Sequence, residues 1–335
     1  MAHAIRIQSH GGPEVLELQE IALPDPGPRE ARIRQTAIGV NFIDTYHRTG
    51  LYPLAELPSG IGQEAAGVVE AVGSEVEEVS VGERVAYAAS GGPGAYADTR
   101  NMPAERLVAL PESIDEETAA AVLLKGMTVE FLVRRTFSIR AGQTVLWHAA
   151  AGGVGLIAMQ WLKYLGATVI GTVSSEEKAE RAHARGCDYP IIYTRESVSQ
   201  RVHEITGGVG VEVVYDSVGR ATFWESLDCL RPRGLFVGFG NASGKPDPID
   251  MGVLAQKGSL YLTRPTLFTY THSRAELLES ATALFNVVAQ GAVQVEVNQR
   301  WPLADAAAAH RALESRQTTG SSVLLPPSAQ SEHRA

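Results

Sequence analysis

From about Gly126 the chain alternates short apolar runs with amphipathic segments of helical length, and this alternation restricts the possible folds more than any other feature. QTVLWHA, GLIAMQWLKYLG, ATVIGTV, SEEKAERAHARG, YPIIY, ESVSQRVHEITGG, VEVVYDSVG, TFWESLDCLRPRG and LFVGFG follow one another in order. Strands separated by helices of about ten residues cannot close as hairpins; they return through right-handed crossovers and build a parallel sheet covered on both faces. An α/β, doubly wound domain is expected.

The first strand–helix junction carries a glycine-rich loop. Ala150-Ala151-Gly152-Gly153-Val154-Gly155 reads A-x-G-x-x-G, directly after a strand and directly before a helix, the context a dinucleotide fingerprint requires. Gly152 and Gly153 let the backbone approach a pyrophosphate, the N–H groups opening the helix at Val154 supply partial positive charge, and Gly155 permits close helix-on-strand packing. About 20 residues later an NAD site would place an acid at the end of the second strand, on the ribose hydroxyl. Here ATVIGTV runs into Ser174 and Ser175, with Lys178 one turn along. Two hydroxyls and an ammonium suit a 2′-phosphate that a carboxylate would repel, so NADPH is the expected cofactor. Glu176 and Glu177 are expected to face solvent at the helix start, and Lys178 has the alternative of being a plain surface lysine.

Residues 1–125 read differently. Short alternating runs such as ARIRQTAIGV and AAGVVEAVG lie between turn-forming stretches such as LPDPGPRE and SGGPGAY, which predicts a compact β-rich domain. After GSLYLTRP come a long helix candidate (SRAELLESATALFNVVAQG), a strand (VQVEVNQRW), a helix (LADAAAAHRALES) and a last strand (SSVLLP). A lone strand is not stable by itself, so this stretch is expected to dock back on the first domain. At 335 residues two domains are the natural expectation.

Composition excludes several classes. No apolar stretch approaches the roughly 20 residues that span a bilayer, and MAHAIRIQSHGG lacks the basic and apolar segments of an export signal, so a cytoplasmic location is expected. Formal charge is -9 with Lys and Arg scattered, which disfavours a nucleic-acid partner. Cys187 and Cys229 are too few for a disulfide framework and read as inert buried thiols. The nine histidines show no metal spacing and no Ser-His-Asp pattern, and Asp216, ending an apolar strand, reads as a turn or network residue.

GGPEVL (11–16), NFIDTYHRTGLYP (41–53), LPSGIGQEAAGVV (57–69), GERVAY (82–87), LLKGMTVEFL (123–132), HAAAGGVG (148–155), YDSVG (215–219), GSLYLTRP (258–265) and GSSVLL (320–325) cover nearly the whole chain. In these stretches the chain resembles the medium-chain dehydrogenase/reductases, and within them the zinc-free NADPH:quinone oxidoreductases related to zeta-crystallin, closest to the bacterial ones. The resemblance implies a GroES-like β-rich catalytic domain over 1–125, a Rossmann NADPH-binding domain over 126–265, a return to the catalytic domain over 266–327 and a flexible tail over 328–335. Zinc-dependent relatives need cysteine near position 41 and a GHE segment. This chain has Asn41 and GIGQEAAG, with Gln63 in the histidine's place, so no metal is expected and Glu64 is assigned to a polar network. Without a Lewis acid the chemistry suits an acceptor that is already electrophilic.

The resemblance places Asn41, Tyr46 and Tyr52 at the substrate and nicotinamide edge, as catalytic candidates, with Asn41 also touching the cofactor. It assigns to the cofactor Thr128, Gly152, Gly153, Val154, Ser174, Lys178, Tyr193, Ser217, Phe239, Gly240 and Arg264. Read from the residues alone, both tyrosines have ordinary loop packing as their alternative, Arg264 has edge pairing, and Lys125 is ambiguous. Asp44 and Arg48 are expected to pair locally. GSLYLTRP reads as a sheet-edge strand, and a homodimer joined near Ser259–Arg264 is expected. The implied function is NADPH-dependent reduction of a small quinone without metal or flavin. Reduction of α,β-unsaturated carbonyls is the alternative enzyme, and a cofactor-binding, RNA-interacting or structural protein with weak catalysis is the alternative class.

Overall fold

The structure, a computed structural model, describes residues 1–89, 92–315 and 317–327; the tail over 328–335 lies outside the described residues. The chain divides into two compact units. Unit 1 comprises Met1–Met127, Tyr270–Ala289 and the chain from Val295 onward, and unit 2 comprises Thr128–Thr269 and Gln290–Gln294.

Unit 1 opens with β1 (Ala2–Ile7), β2 (Glu17–Ile21) and β3 (Glu30–Val40), then helix α1 (Phe42–Thr49), β4 (Ser59–Gly60), β5 (Glu64–Val72), β6 (Arg84–Ala88), β7 (Thr99–Pro103) and β8 (Val108–Ala109). Helix α2 (Glu116–Glu130) follows and runs on into a π-helical turn, Phe131–Thr136. Unit 2 continues with β9 (Thr144–Trp147), α3 (Gly153–Tyr164), β10 (Thr168–Val173), α4 (Glu176–Ala184), β11 (Tyr189–Ile192), α5 (Val198–Ile205), β12 (Val211–Asp216), α6 (Phe223–Asp228), β13 (Leu230–Gly238) and β14 (Tyr261–Thr263). The chain ends with a helix at Arg274–Ala289, β15 (Val297–Pro302), a helix at Ala306–Glu314 and β16 (Ser321–Leu325).

In unit 1 a seven-stranded sheet runs β15-β16-β3-β5-β6-β8, with β7 also on β3, beside a three-stranded sheet β2-β1-β4. Strand β3 shows why: along Glu30–Thr36 every second side chain is buried, as alternation in ARIRQT requires of a strand with one face inward. Strand β16 lies antiparallel on β3, with Ser322 opposite Val40 and Leu324 opposite Ile38, so the C-terminal strands β15 and β16 extend the sheet built on β3. Ile5, Ile33, Ile38, Val69, Tyr87, Leu303 and Leu324 share one core, each large aliphatic contributing about 1.5–3 kcal/mol on burial.

Unit 2 is a six-stranded sheet in the order β11-β10-β9-β12-β13-β14, parallel throughout. This is the doubly wound order 3-2-1-4-5-6, which places all strand carboxyl ends along one edge and a topological switch point between β9 and β12. Leu146, Ile170, Ile191 and Val214 from the strands pack with Val202 of α5 and Leu227 of α6. The α/β reading, a β-rich domain plus a Rossmann sheet, therefore holds. The helix over 116–136 is a difference from the expected rhythm. Its sequence is apolar nearly all round, so no stripe marks it, and its Gly126 is demanded by packing: a Cβ there would lie 2.3 Å from Leu284 Cδ1.

Candidate functional site

In unit 2 the residues singled out for the nucleotide gather at the carboxyl ends of the strands. Strand β9 ends at Trp147, the chain turns through Ala149 at a φ of 57°, and Gly152 caps α3. Gly152 is exposed and Gly153 and Val154 are half-buried, so the first N–H groups of the helix, which have no intrahelical acceptor, open outward. A Cβ on Gly155 would sit 2.4 Å from the Ala149 carbonyl oxygen and 2.5 Å from that of Ala150, so only glycine lets α3 start this close to the strand. A helix start with bare main chain is an anion site by its dipole and its free donors.

Strand β10 ends at Val173, and Ser174 and Lys178 follow, both half-buried. Ser175 caps α4 by accepting from the Lys178 N–H, so Ser174 is the hydroxyl left beside the strand end. Glu177 is exposed, and Glu176 is drawn to Arg195 at 2.5 Å with both side chains more than 60% exposed. Tyr193, 44% exposed, follows β11 and its N–H donates to the Val173 carbonyl, which sets it next to Ser174. Ser217 follows β12, and Phe239 and Gly240 follow β13; a Cβ on Gly240 would lie 2.5 Å from the Ser217 carbonyl oxygen, so the two loops touch. Phe239 packs on Trp147 with ring centroids 5.3 Å apart. Arg264, exposed at the end of β14, donates to the Pro265 carbonyl and lines a cavity of about 430 Å³ with Gly240, Asn241, Thr263 and Asp216. Thr128 lies in α2, at the start of the unit.

Beneath these loops runs a buried polar line that the histidine spacing did not reveal. His148 meets Thr172 Oγ1 at 3.0 Å through Nδ1 and Ser226 Oγ at 2.9 Å through Nε2, and Ser226 donates to Asp216 Oδ2 at 3.1 Å. Asp216 also accepts from the Val218 and Gly219 N–H groups and from Thr222 Oγ1, so it ties down the turn that carries Ser217. Ser, His and Asp thus meet after all, but the serine stands between the other two and all three are buried, so the group is structural. Burial lowers His148 from its ordinary value, which keeps it neutral.

Unit 1 holds the other candidates. Asn41 caps α1 and is 5% exposed; its Nδ2 donates to Glu64 Oε2 at 2.8 Å. Glu64 also accepts from the Leu124 N–H at 2.6 Å and faces Lys125 Nζ at 3.8 Å. Burial pushes its carboxyl up, against the pull of Lys125, Asn41 and the Leu124 N–H. Gly39 makes room for it: a Cβ there would lie 2.4 Å from Glu64 Oε2. Tyr46 and Tyr52 are half-buried and pack edge to face, centroids 5.0 Å apart, as one aromatic pair at the exposed side of α1. Gln63 Nε2 donates to His47 Nδ1 at 3.3 Å.

One local expectation fails. Asp44 and Arg48 do not pair with each other: Asp44 closes its own helix start, accepting from the Asn41 N–H at 2.8 Å, whereas Arg48 reaches across the fold to Glu314 at 2.7 Å and to His310 at 3.0 Å. Arg48 is 1% exposed, and a buried guanidinium requires a buried partner set that only tertiary packing provides. Asp44, Tyr96, His310 and Glu314 therefore join the site's surroundings, with no local pattern in the sequence to announce them.

Two family profiles match in order: "Alcohol dehydrogenase GroES-like domain" over residues 27–112 and "Zinc-binding dehydrogenase" over residues 153–282. The donors of this chain do not fit a zinc ion. Position 41 is an amide engaged by Glu64, position 63 is an amide, and Cys187 and Cys229 lie buried in unit 2 with burial raising both thiols, Cys187 to about 12. Among the described residues no three of His, Cys, Asp and Glu are grouped to hold a metal. The chain is 55% identical to a quinone oxidoreductase of Pseudomonas aeruginosa over 97% of its own length and all of that protein's. It is 48% identical to a 2-haloacrylate reductase of a Burkholderia species, covering 97% and 99% of the two chains. The crystal structure of Escherichia coli quinone oxidoreductase complexed with NADPH superposes with a TM-score of 0.95 at 51% identity, over 97% of this chain and all of that one. With both profiles matched in sequence order and the likeness running nearly end to end, the chain belongs to the medium-chain dehydrogenase/reductase family, among its quinone oxidoreductases.

Proposed function

We propose that the protein reduces small quinones with NADPH, using neither a metal nor a flavin. The observation that carries the reading is the carboxyl edge of the unit 2 sheet: a bare glycine loop at a helix start and, one strand over, Ser174 and Lys178 where an NAD site would present a carboxylate. The Escherichia coli quinone oxidoreductase was crystallised as a complex with NADPH, and the near relatives are named quinone oxidoreductases, which supports the same cofactor and acceptor here.

The chain's residues fit that cofactor. The Gly152, Gly153 and Val154 N–H groups would hold the diphosphate and Ser174 with Lys178 the 2′-phosphate. Tyr193 would flank the adenine, and Ser217, Phe239, Gly240 and Arg264, with Thr128, would complete the cradle. When bound, NADPH would supply reducing equivalents from C4 of its nicotinamide. The protein's part is to bind, orient and exclude water. The Tyr46–Tyr52 pair offers an aromatic surface for a planar acceptor, and the phenol O–H groups and the Asn41 amide are donors suited to an acceptor oxygen as charge grows on it. Lys125 stays with Glu64, offsetting a buried carboxylate.

A second reading has a specific support, the 48% identity to a 2-haloacrylate reductase. An activated alkene would use the same hydride source and the same donors. A homodimer through β14 belongs to the proposal as well, since β14 is the end strand of its sheet and exposes 62% of Tyr261 and 40% of Leu262. So does a cytoplasmic location, consistent with two free, buried cysteines; among the described residues no helix is long and apolar enough to cross a membrane.

Initial rates with NADPH and NADH against 1,4-benzoquinone, a naphthoquinone, 2-chloroacrylate and a simple enone test the assignment. NADPH-dependent turnover of the quinones in excess of both alkenes is expected. Faster turnover of 2-chloroacrylate transfers the assignment to the second reading, and no turnover of any acceptor removes the enzymatic one.

A further inference from the structure

Helix α1 carries Tyr46, with Asn41 as its N-cap and Tyr52 just past its Gly50 C-cap, and its first turn is held from inside the unit 1 core. Asp44 Oδ2 accepts from the Asn41 backbone N–H at 2.8 Å and from the Tyr96 hydroxyl at 3.0 Å. The Tyr96 oxygen meets His310 Nε2 at 3.0 Å, and His310 Nδ1 meets Arg48 Nη1 at 3.0 Å. Arg48 ends the line on Glu314 with bonds of 2.9 and 2.7 Å. Asp44, Tyr96, His310 and Arg48 are all buried, and Glu314 reaches solvent. Gly62 exists for this line: a Cβ there would lie 2.2 Å from the Tyr96 ring.

Chemistry fixes the direction of these bonds. A guanidinium donates and cannot accept, so His310 Nδ1 accepts and the ring proton sits on Nε2. Nε2–H then donates to the Tyr96 oxygen, which leaves the Tyr96 proton for Asp44. Burial, aided by Arg48, pushes His310 down to about 3, and burial beside Asp44 holds the Tyr96 phenol well above its ordinary value, so both keep these roles at working pH. Asp44 Oδ2 thus receives two donors, while Oδ1, equally buried, has no hydrogen-bond partner.

We propose that Asp44 is a positioning residue for acceptor reduction: its carboxylate, aimed by Tyr96, His310 and Arg48, holds Asn41 and the first turn of α1 so that Asn41, Tyr46 and Tyr52 face the acceptor together. The proposal rests on the reading of α1 as the acceptor site. An anion at a helix start attracts the N–H groups there, and protonation weakens that hold. The groups facing Asp44 are Asn41 on its own helix, Tyr96, Glu64 of β5 and Lys125 of α2. Burial outweighs the Asn41, Tyr96 and Lys125 contributions, Glu64 adds to it, and the carboxyl is raised to about 7. Acceptor reduction is then expected to fall as pH drops through that value.

The test is kcat/KM for 1,4-benzoquinone at saturating NADPH from pH 5.5 to 9, for the wild type, Tyr96→Phe, His310→Gln and Asp44→Asn. The wild type should show an acidic limb with its inflection near pH 7. Tyr96→Phe, which removes a donor to the ionised form, should move the inflection up by about half a unit or more. His310→Gln keeps a donor and an acceptor and should stay close to the wild type. Asp44→Asn should give a profile without the limb, at about a tenth of the wild-type alkaline plateau or less. A wild type with no limb, a limb that survives in Asp44→Asn, or an unmoved inflection in Tyr96→Phe each overturns the proposal. If Asp44→Asn does not fold, the Tyr96→Phe inflection decides alone. A wild type that does not oxidise NADPH with the quinone at all overturns the functional reading instead, before any variant is compared.

Discussion

His148 in unit 2 and His310 in unit 1 are both buried, both kept neutral by burial, and both bound through Nε2 to a hydroxyl that donates to an aspartate. The two lines differ at their ends. Asp216 receives four donors, two to each oxygen, and closes a turn in the sheet's edge. Asp44 receives two donors on one oxygen and none on the other, and its line ends at a surface carboxylate through Arg48. The same chemical parts therefore make a fully satisfied carboxylate that braces a turn in one unit and a carboxylate with one unpartnered buried oxygen in the other.

The largest expected effect separates the two aspartates directly. Asp216→Asn turns an NH2 group toward buried donors and should cost about 3 kcal/mol, seen as a fall of about 5–10 °C in Tm. Asp44→Asn removes no donor from Oδ1 and should change Tm at pH 7 by less than about 2 °C. Equal losses would erase the distinction between the fully satisfied carboxylate and the one with an unpartnered oxygen.

Next in size is the nucleotide side of the comparison. Ser174→Asp restores the acid that an NAD site carries and should lower the NADPH-to-NADH ratio of kcat/KM about a hundredfold. An unchanged ratio would mean that the end of β10 does not read the ribose.

A smaller effect concerns pH and stability. Asp44 has a raised folded-state pKa, so its contribution is present in acid and is lost as pH rises from about 4 through 7. His310 has a depressed one, so its contribution is present above about 6.5 and is lost as pH falls toward 3. Between pH 7 and 5 the two oppose each other by about 2 kcal/mol each. Denaturant titrations should find Asp44→Asn less stable at pH 5 than at pH 7 relative to the wild type, and His310→Gln the reverse. Shifts of the same sign in both variants would contradict the assignment. Smallest of all, Arg195→Ala should alter stability by less than about 0.5 kcal/mol, because both members of its pair with Glu176 are well exposed.

The two units were unequally legible in the sequence for a physical reason. A parallel sheet buried on both faces demands continuous apolar strands and striped helices, so VEVVYD and ESVSQRVHEI announce themselves, and once strand order is known the strand ends carry Gly152, Ser174, Tyr193, Ser217 and Phe239 to one edge. The Asp44 line is built from residues at 44, 48, 96, 310 and 314, joined only after β16 has paired with β3 and the helix at Ala306–Glu314 has packed. No period or local spacing encodes such a line, and burial, which makes it titratable, is a property of the whole unit. Helix α2 escaped for the opposite reason: its nearly uniform apolar sequence offers no stripe, and the change of rhythm near Gly126 falls inside it.

The proposed preference for NADPH depends most on the proposal that Ser174 and Lys178 read a 2′-phosphate beside a bare glycine loop. Titration calorimetry of the wild type and Lys178→Ala with NADPH and with NADH tests it. The wild type should bind NADPH at least about tenfold more tightly than NADH, and Lys178→Ala should lose most of that difference while keeping its NADH affinity. Equal affinities in the wild type, or a preference untouched by Lys178→Ala, would contradict it.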